Sequence, residues 1–187
     1  MSEMKTDKKK ELRKAVLTVV LYAAVITAVV FLFQRFLYAP MRVVGDSMNP
    51  ALADKDILLV SKLAYEKGDP ERFDLVGFYY KYDIHTMYIK RVIGLPGETV
   101  EIKNNTIYID SEELKEYYGI YEENQKRMED YGPYTLKSDE YFVLGDNRDH
   151  SVDSRSGDVG PVERSMFIGK AAFRLWPFHA IGSLKYQ

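Results

Sequence analysis

A serine, a lysine and a set of alternating carboxylates and guanidiniums are the groups whose spacing could do chemistry here. The serine lies in GDSMNPAL, residues 45–52, where Asp-Ser and Asn-Pro are turn-forming pairs. A turn alone would account for these residue types. A turn that held the hydroxyl beside a base would instead make Ser47 a nucleophile. One candidate base sits in MYIKRVIGLPGE, residues 87–98. In a strand, Tyr88, Lys90 and Val92 share one face, and Met87, Ile89, Arg91 and Ile93 the other. If Arg91 faces water, Lys90 faces inward. Burial strips an ammonium of hydration, and lowering its pKa from about 10.4 to about 8 costs roughly 3 kcal/mol. A lysine held at that cost suits a general base. On an exposed edge strand, Lys90 would serve only solubility.

A third stretch, VLGDNRDHSVDSRSGDVGP, residues 143–161, is a long polar loop. It holds Asp146, Arg148, Asp149, Asp153, Arg155 and Asp158, with Ser151 and Ser154 between them. The spacing is not that of an EF-hand, and the arginines compete for the carboxylates. The pattern predicts an internal Asp–Arg network that stiffens the loop, with serines free to orient a neighbouring group. Other chemistries find less support. His85, His150 and His179 fall in turns or loops and form no HExxH or similar metal spacing. A Ser-His-Asp triad stays open, because its members need only meet in space. There is no cysteine, which excludes disulfides, thiolate metal sites and a cysteine nucleophile. No metal and no cofactor is predicted.

The elements that must position these residues are mostly strands. MRVVG, DILLVSK, DLVGFYY, TMYIKRVIG, TVEIK, TIYID, EYFVLG and GKAAFRLWP are short β-branched and aromatic runs separated by turn formers. KNNT reads as a tight hairpin with Asn in left-handed positions. SEELKEYYG predicts a helix, with Ser111 as cap and Gly119 as stop. Residues 104–138 are tyrosine-rich and poor in aliphatics, the composition of an inserted lobe. The predicted fold class is mainly β, behind one membrane helix.

That helix is read from residues 15–33, which carry no charge. Nineteen helical residues span about 28 Å, close to the hydrocarbon thickness of a bilayer. A cleavable signal peptide would end in small residues, whereas Gln34, Arg35 and bulky Leu37 follow here. Six Lys/Arg precede the run, and Arg35 and Arg42 are the next two after it. This asymmetry predicts a single-pass protein of the cell membrane, with residues 1–14 a cytoplasmic basic tail, 15–38 the membrane helix and its flank, and 39–187 outside. The tail alone would read as a solvated, disordered charge run. The whole chain carries a net charge of −2, with no global basic field for nucleic acid.

GDSMNPAL, YIKRVIGLPGE, GDNRDHSVDSR and GKAAFRLWP, in this order behind one apolar run, resemble the sequence boxes of the bacterial type I signal peptidases, in their Gram-positive-like, single-anchor form. The resemblance runs from the apolar helix to about Pro177. It implies a β-rich fold shared with the self-cleaving repressor proteases, and a Ser/Lys dyad that removes signal peptides from exported preproteins. By position, Ser47 matches the nucleophile, Lys90 the base, and Ser151 the serine that positions the lysine. Asp146, Arg148, Asp153 and Arg155 match a supporting polar network. Met48, Leu52, Tyr88 and Ile89 match pocket walls. Pro40, Met41, Arg42, Val43 and Val44 match the strand on which substrate lies extended. The implied partners are exported preproteins and the lipid bilayer, with the secretion translocon close by. The resemblance further implies small substrate residues at positions −1 and −3.

The chain departs from the family's usual pattern in places. Ala51 stands where Thr is usual, His150 where many members have Asn, and Gly45 where Gram-negative relatives often carry a second serine. Two readings from other classes remain. A catalytically idle, membrane-tethered binding protein of the same fold would lack the serine or the lysine, and neither is lost. A self-cleaving repressor switch would need a DNA-binding domain where this chain has the basic tail and the apolar run.

Overall fold

The apolar run folds as part of one helix, α1, Ser2–Leu32, followed by a π-helical turn at Phe33–Leu37. The computed structural model describes residues 2–66, 68–119 and 128–184. Within Lys10–Leu37 the mean hydropathy reaches 2.7, and none of that apolar window is buried in the protein. A helix apolar on all sides needs a non-aqueous surrounding, so this one is a candidate membrane anchor. The two threonines of the apolar run hide their hydroxyls inside the helix: Thr18 Oγ1 donates to Lys14 O (2.9 Å) and Thr27 Oγ1 to Ala23 O (2.8 Å), as a dry environment requires. The basic tail is not the disordered run its charge suggests. Lysine and glutamate are good helix formers, and they extend a helix already nucleated by the apolar segment.

From Tyr38 onward the chain forms a second unit, and this unit is mainly β. Its main sheet contains β1 (Tyr38–Arg42), β2 (Ile57–Ser61), β3 (Leu75–Tyr80) and β4 (Asp83–Gly94). A second sheet is built from β5 (Thr99–Lys103), β6 (Thr106–Ile109), β7 (Glu112–Glu113) and β8 (Tyr131–Thr135). The chain then returns to the main sheet with β9 (Glu140–Leu144), β10 (Val162–Glu163), β11 (Phe167–Trp176) and β12 (Gly182–Ser183). The main sheet runs β1-β2-β11-β3-β4-β9-β10, with β12 on β11, and the second runs β7-β6-β5-β8.

Lys103 pairs with Thr106 across the predicted hairpin, and Asn104 and Asn105 take φ of 50° and 66°, the left-handed pair that a type I′ turn needs. The predicted helix at 111–119 is absent. Asp110 and Ser111 adopt φ of 50° and 71°, making a second tight turn, after which Glu112 and Glu113 pair with Ile109 and Tyr108. A Ser followed by Glu and Leu signals a helix cap, but the same Asp-Ser pair can reverse a strand, and pairing with β6 decides between them. Most of the stretch 104–138 lies in or beside the second sheet, which begins earlier, at Thr99. Residues 120–127 of it fall outside the described residues.

β4 sits between β3 and β9 in the centre of the main sheet. Its alternation is as expected: Tyr88 and Val92 join a cluster with Val76 and Phe78, while Ile89 joins one with Met41 and Leu58. Arg91 does not face water. Both sheet faces are covered, so Lys90 (3% exposed) and Arg91 (1%) are both buried, on opposite sides.

Candidate active site

Ser47 stands in the turn that follows β1. Gly45 takes φ of 82°, a left-handed conformation that glycine adopts without strain, and its N–H donates to Asp54 Oδ1 (3.0 Å). Asn49 N donates to Asp46 O (3.0 Å) and Leu52 N to Met48 O (2.8 Å). Met48 and Leu52 are wholly buried with Met41, Val43 and Ile89. These two apolar side chains peg the turn to the core and leave Ser47 half-buried beside the sheet. No described residue accepts a hydrogen bond from the Ser47 N–H, so that donor is available to a ligand.

Lys90 reaches this turn from β4. Its Nζ lies 2.7 Å from Ser47 Oγ. Burial pushes the amine down from its ordinary 10.5 to about 8; Asp153 and Asp146 pull it partly back up, and Arg155 pushes it further down. An ammonium would donate across the 2.7 Å contact, and a neutral amine would accept the hydroxyl proton across it. Among the described residues, no hydrogen bond joins Ser47 to a histidine. His150 is exposed and borders a polar recess with Asp46, Asn49 and Asn147, while His85 and His179 are exposed elsewhere.

The polar loop packs behind the pair, with a wiring the sequence did not reveal. Asp146 is bound by Arg91 from β4, Nε to Oδ1 at 2.8 Å and Nη2 to Oδ2 at 2.6 Å, with both side chains 1% exposed. Asp153 holds Arg155 through two bonds of 2.8 Å and accepts the Gly145 N–H at 3.0 Å. Arg148 Nε donates to Gly145 O (3.0 Å), and its other two nitrogens reach Glu116. Asn147 N donates to Ser47 O (3.1 Å), tying the loop to the serine turn. Ser151 Oγ is buried without a hydrogen-bond partner, and Lys90 Nζ makes no hydrogen bond to it. Sequence reasoning named Asp146 and Arg148 but neither of their partners, Arg91 and Glu116.

A cleft of about 370 Å³ opens beside Ser47 and Lys90. Met41, Arg42, Val43, Val44, Tyr88 and Ile89 line it, and Thr86 and Met87 extend the wall. The alternation of β4, read two residues further back, would have found these last two. Met48 and Leu52 do not line the cleft; they are fully buried behind its wall. Pro40 is exposed on β1, opposite Leu59, and is not part of the lining. β1 is the terminal strand of its sheet. β4 pairs with β9 only from Arg91 onward, so its Asp83–Lys90 half also has one unpaired edge. Two open strand edges bordering an apolar cleft can receive an extended peptide by strand addition. Among the described residues, no group of three or more His, Cys, Asp or Glu could hold a metal ion.

The family model described as signal peptidase, peptidase S26, matches residues 13–176. Signal peptidase I P of Bacillus subtilis subsp. natto is 40% identical over 163 residues, covering 83% of this chain and 87% of that protein. Signal peptidase I of Bacillus licheniformis is 36% identical over 187 residues, covering 96% of each. A crystal structure of a signal peptidase I from Enterococcus faecalis V583 is 34% identical, with a TM-score of 0.48 over 55% of this chain and 96% of that one.

Proposed function

The chain belongs to the signal peptidase family, peptidase S26, as a signal peptidase I that cleaves signal peptides from exported preproteins, and we propose that it does so with Ser47 as nucleophile and Lys90 as general base. The observation that carries this reading is the 2.7 Å contact between Lys90 Nζ and Ser47 Oγ, made by a lysine that burial holds near pKa 8. Neutral Lys90 takes the Ser47 proton as Oγ attacks the scissile carbonyl. The Ser47 N–H donates to the oxyanion that forms. The Lys90 ammonium then protonates the leaving amine, and the freed mature protein departs. A water deprotonated by Lys90 hydrolyses the acyl-enzyme and restores Ser47.

In this reading Asp146, Arg148, Asp153 and Arg155 hold the polar loop that backs the dyad and carries Ser151, whose Oγ makes no hydrogen bond to Lys90 Nζ. The signal peptide lies extended between β1 and the free half of β4. The apolar helix anchors the enzyme in the lipid bilayer, N-terminus in the cytoplasm, where its preproteins emerge from the translocon. The test is direct. Detergent-solubilised protein is incubated with a preprotein, and the new N-terminus is sequenced. Ser47→Ala and Lys90→Ala should each abolish cleavage, and the double variant should be no worse, because the two residues act as a unit. Near-normal turnover by Lys90→Ala would refute the lysine base and make His150 the next one to test.

A further inference from the structure

Arg148 carries a wholly buried side chain whose partner comes from outside every catalytic motif. Glu116, in the segment after β7, grips the guanidinium with both carboxylate oxygens, the Nη2–Oε2 bond at 2.7 Å. The third nitrogen, Nε, donates to Gly145 O at 3.0 Å. Gly145 lies against the Ser47 carbonyl and against Ser151, so closely that a methyl on Gly145 would overlap both. Two residues on, Asn147 N donates to Ser47 O at 3.1 Å. One carboxylate from the segment after β7 is therefore linked, through one guanidinium, to the backbone that holds the nucleophile turn.

A second contact from the same segment converges on the same loop. The Tyr118 ring lies 3.8 Å from Arg91 Cζ, and Arg91 grips Asp146, between Gly145 and Asn147. At Gly119 the chain passes so close to Arg148 that a Cβ would fall 2.6 Å from its Cζ. None of these lobe residues lines the cleft between β1 and β4. Apolar side chains in place of a buried ion pair often serve stability as well or better. What a two-pronged carboxylate–guanidinium pair adds is fixed geometry.

We infer that Glu116 is a positioning residue for the Ser47 reaction, bracing the 145–148 loop through Arg148 while Tyr118 seats Arg91. The inference rests on the function proposed above. It is tested with the full, detergent-solubilised chain by initial-rate kinetics on a preprotein, alongside thermal unfolding. Glu116→Gln should lower kcat roughly 10- to 100-fold, as small misplacements of reacting groups do. KM should stay within about twofold, because the signal-peptide cleft is untouched. Glu116→Asp should recover part of the rate. Glu116→Met combined with Arg148→Met leaves no unpaired charge, so it should unfold near the wild-type temperature and still keep the loss in kcat.

Should Glu116→Gln fail to fold, the double variant decides. Wild-type kcat in either folded variant, or a loss confined to KM, would overturn the brace. A double variant that also fails to fold would mark the pair as a requirement of the fold and overturn it too. The two readings fail separately. A wild-type chain that leaves the preprotein intact would sink the proposed function on which the brace depends. Wild-type cleavage with Glu116→Gln unimpaired would sink the brace alone.

Discussion

An ammonium carried into a core by its strand gives up hydration, and among the described residues Lys90, 3% exposed, has only the Ser47 hydroxyl as a direct hydrogen-bond partner. Its pKa falls from 10.5 to about 8, which gives the residue two opposite pH signatures. As a base it works neutral, so kcat/KM should climb as pH rises through about 8, with roughly a tenth of the amine active one unit below. Stability is affected separately. Between pH 8 and 10.5 the unfolded chain binds the proton that the folded chain has released, so stability rises with pH across that window. Below pH 8 both states are protonated and the full burial cost, about 3 kcal/mol, is felt. Lys90→Met should therefore be inactive yet more stable than wild type at pH 7, by up to about 3 kcal/mol. That advantage should shrink to nothing as pH approaches 10.5. Denaturant unfolding of both proteins at several pH values would measure this, and a Lys90→Met variant less stable than wild type at pH 7 would contradict it.

The serine turn and the polar loop pack tightly against each other at Gly145. A methyl there would collide with the carbonyl oxygen of Ser47 and with Ser151 Oγ, a backbone atom and a side chain with little freedom to yield. Gly145→Ala should displace the nucleophile turn and lower kcat at least about 100-fold, in a chain that still folds; near-normal turnover would mean the turn can shift freely. The open edges of β1 and β4 lead to a further expectation. A substrate strand added there alternates faces, so the −1 and −3 side chains meet the apolar wall and −2 points away. A bulky −1 residue must be overpacked into that wall, which costs about 1–3 kcal/mol, or roughly 5- to 150-fold in rate. Initial rates on a preprotein library varied at −1, −2 and −3 would check this, and strong selection at −2 with indifference at −1 would refute it. The strands and motifs on which these arguments stand were legible because their signals are local: β-branched runs, Asn-Asn at a hairpin, Ser47 inside one turn. The wiring between them was not. Arg91 meets Asp146 across 55 residues and Arg148 meets Glu116 across 32, and no local pattern pairs charges over such distances. Alternation along β4 says which residues oppose one another, not whether the second face is covered, so it leaves the burial of Arg91 open. β7, β8, β10 and β12 are short or rich in Gly, Pro and Glu, and exist because a partner edge recruits them.

At the scale of the whole chain, the proposed topology rests on one apolar helix and its charged flanks. The helix pairs its backbone groups internally, and Thr18 and Thr27 back-bond their hydroxyls, so a crossing would leave the backbone of the span satisfied. Direction is a question of which flank crosses less readily. Six Lys/Arg lie within residues 1–14, against Arg35 and Arg42 beyond the helix. Translocating the basic tail against this bias is disfavoured, and long domains cross largely regardless of their charge. The 39–187 segment, with 19 basic and 25 acidic side chains, is such a domain. Protease added to intact spheroplasts should therefore digest residues 39–187 and spare an epitope placed on the N-terminal tail. Replacing Lys5, Lys8, Lys9 and Lys10 with Gln should weaken the bias and leave a measurable fraction of chains with the β unit protected. Equal protection of both ends in the unaltered chain would refute the single span. Release of the β unit into the medium would show instead that the apolar helix is itself cleaved away.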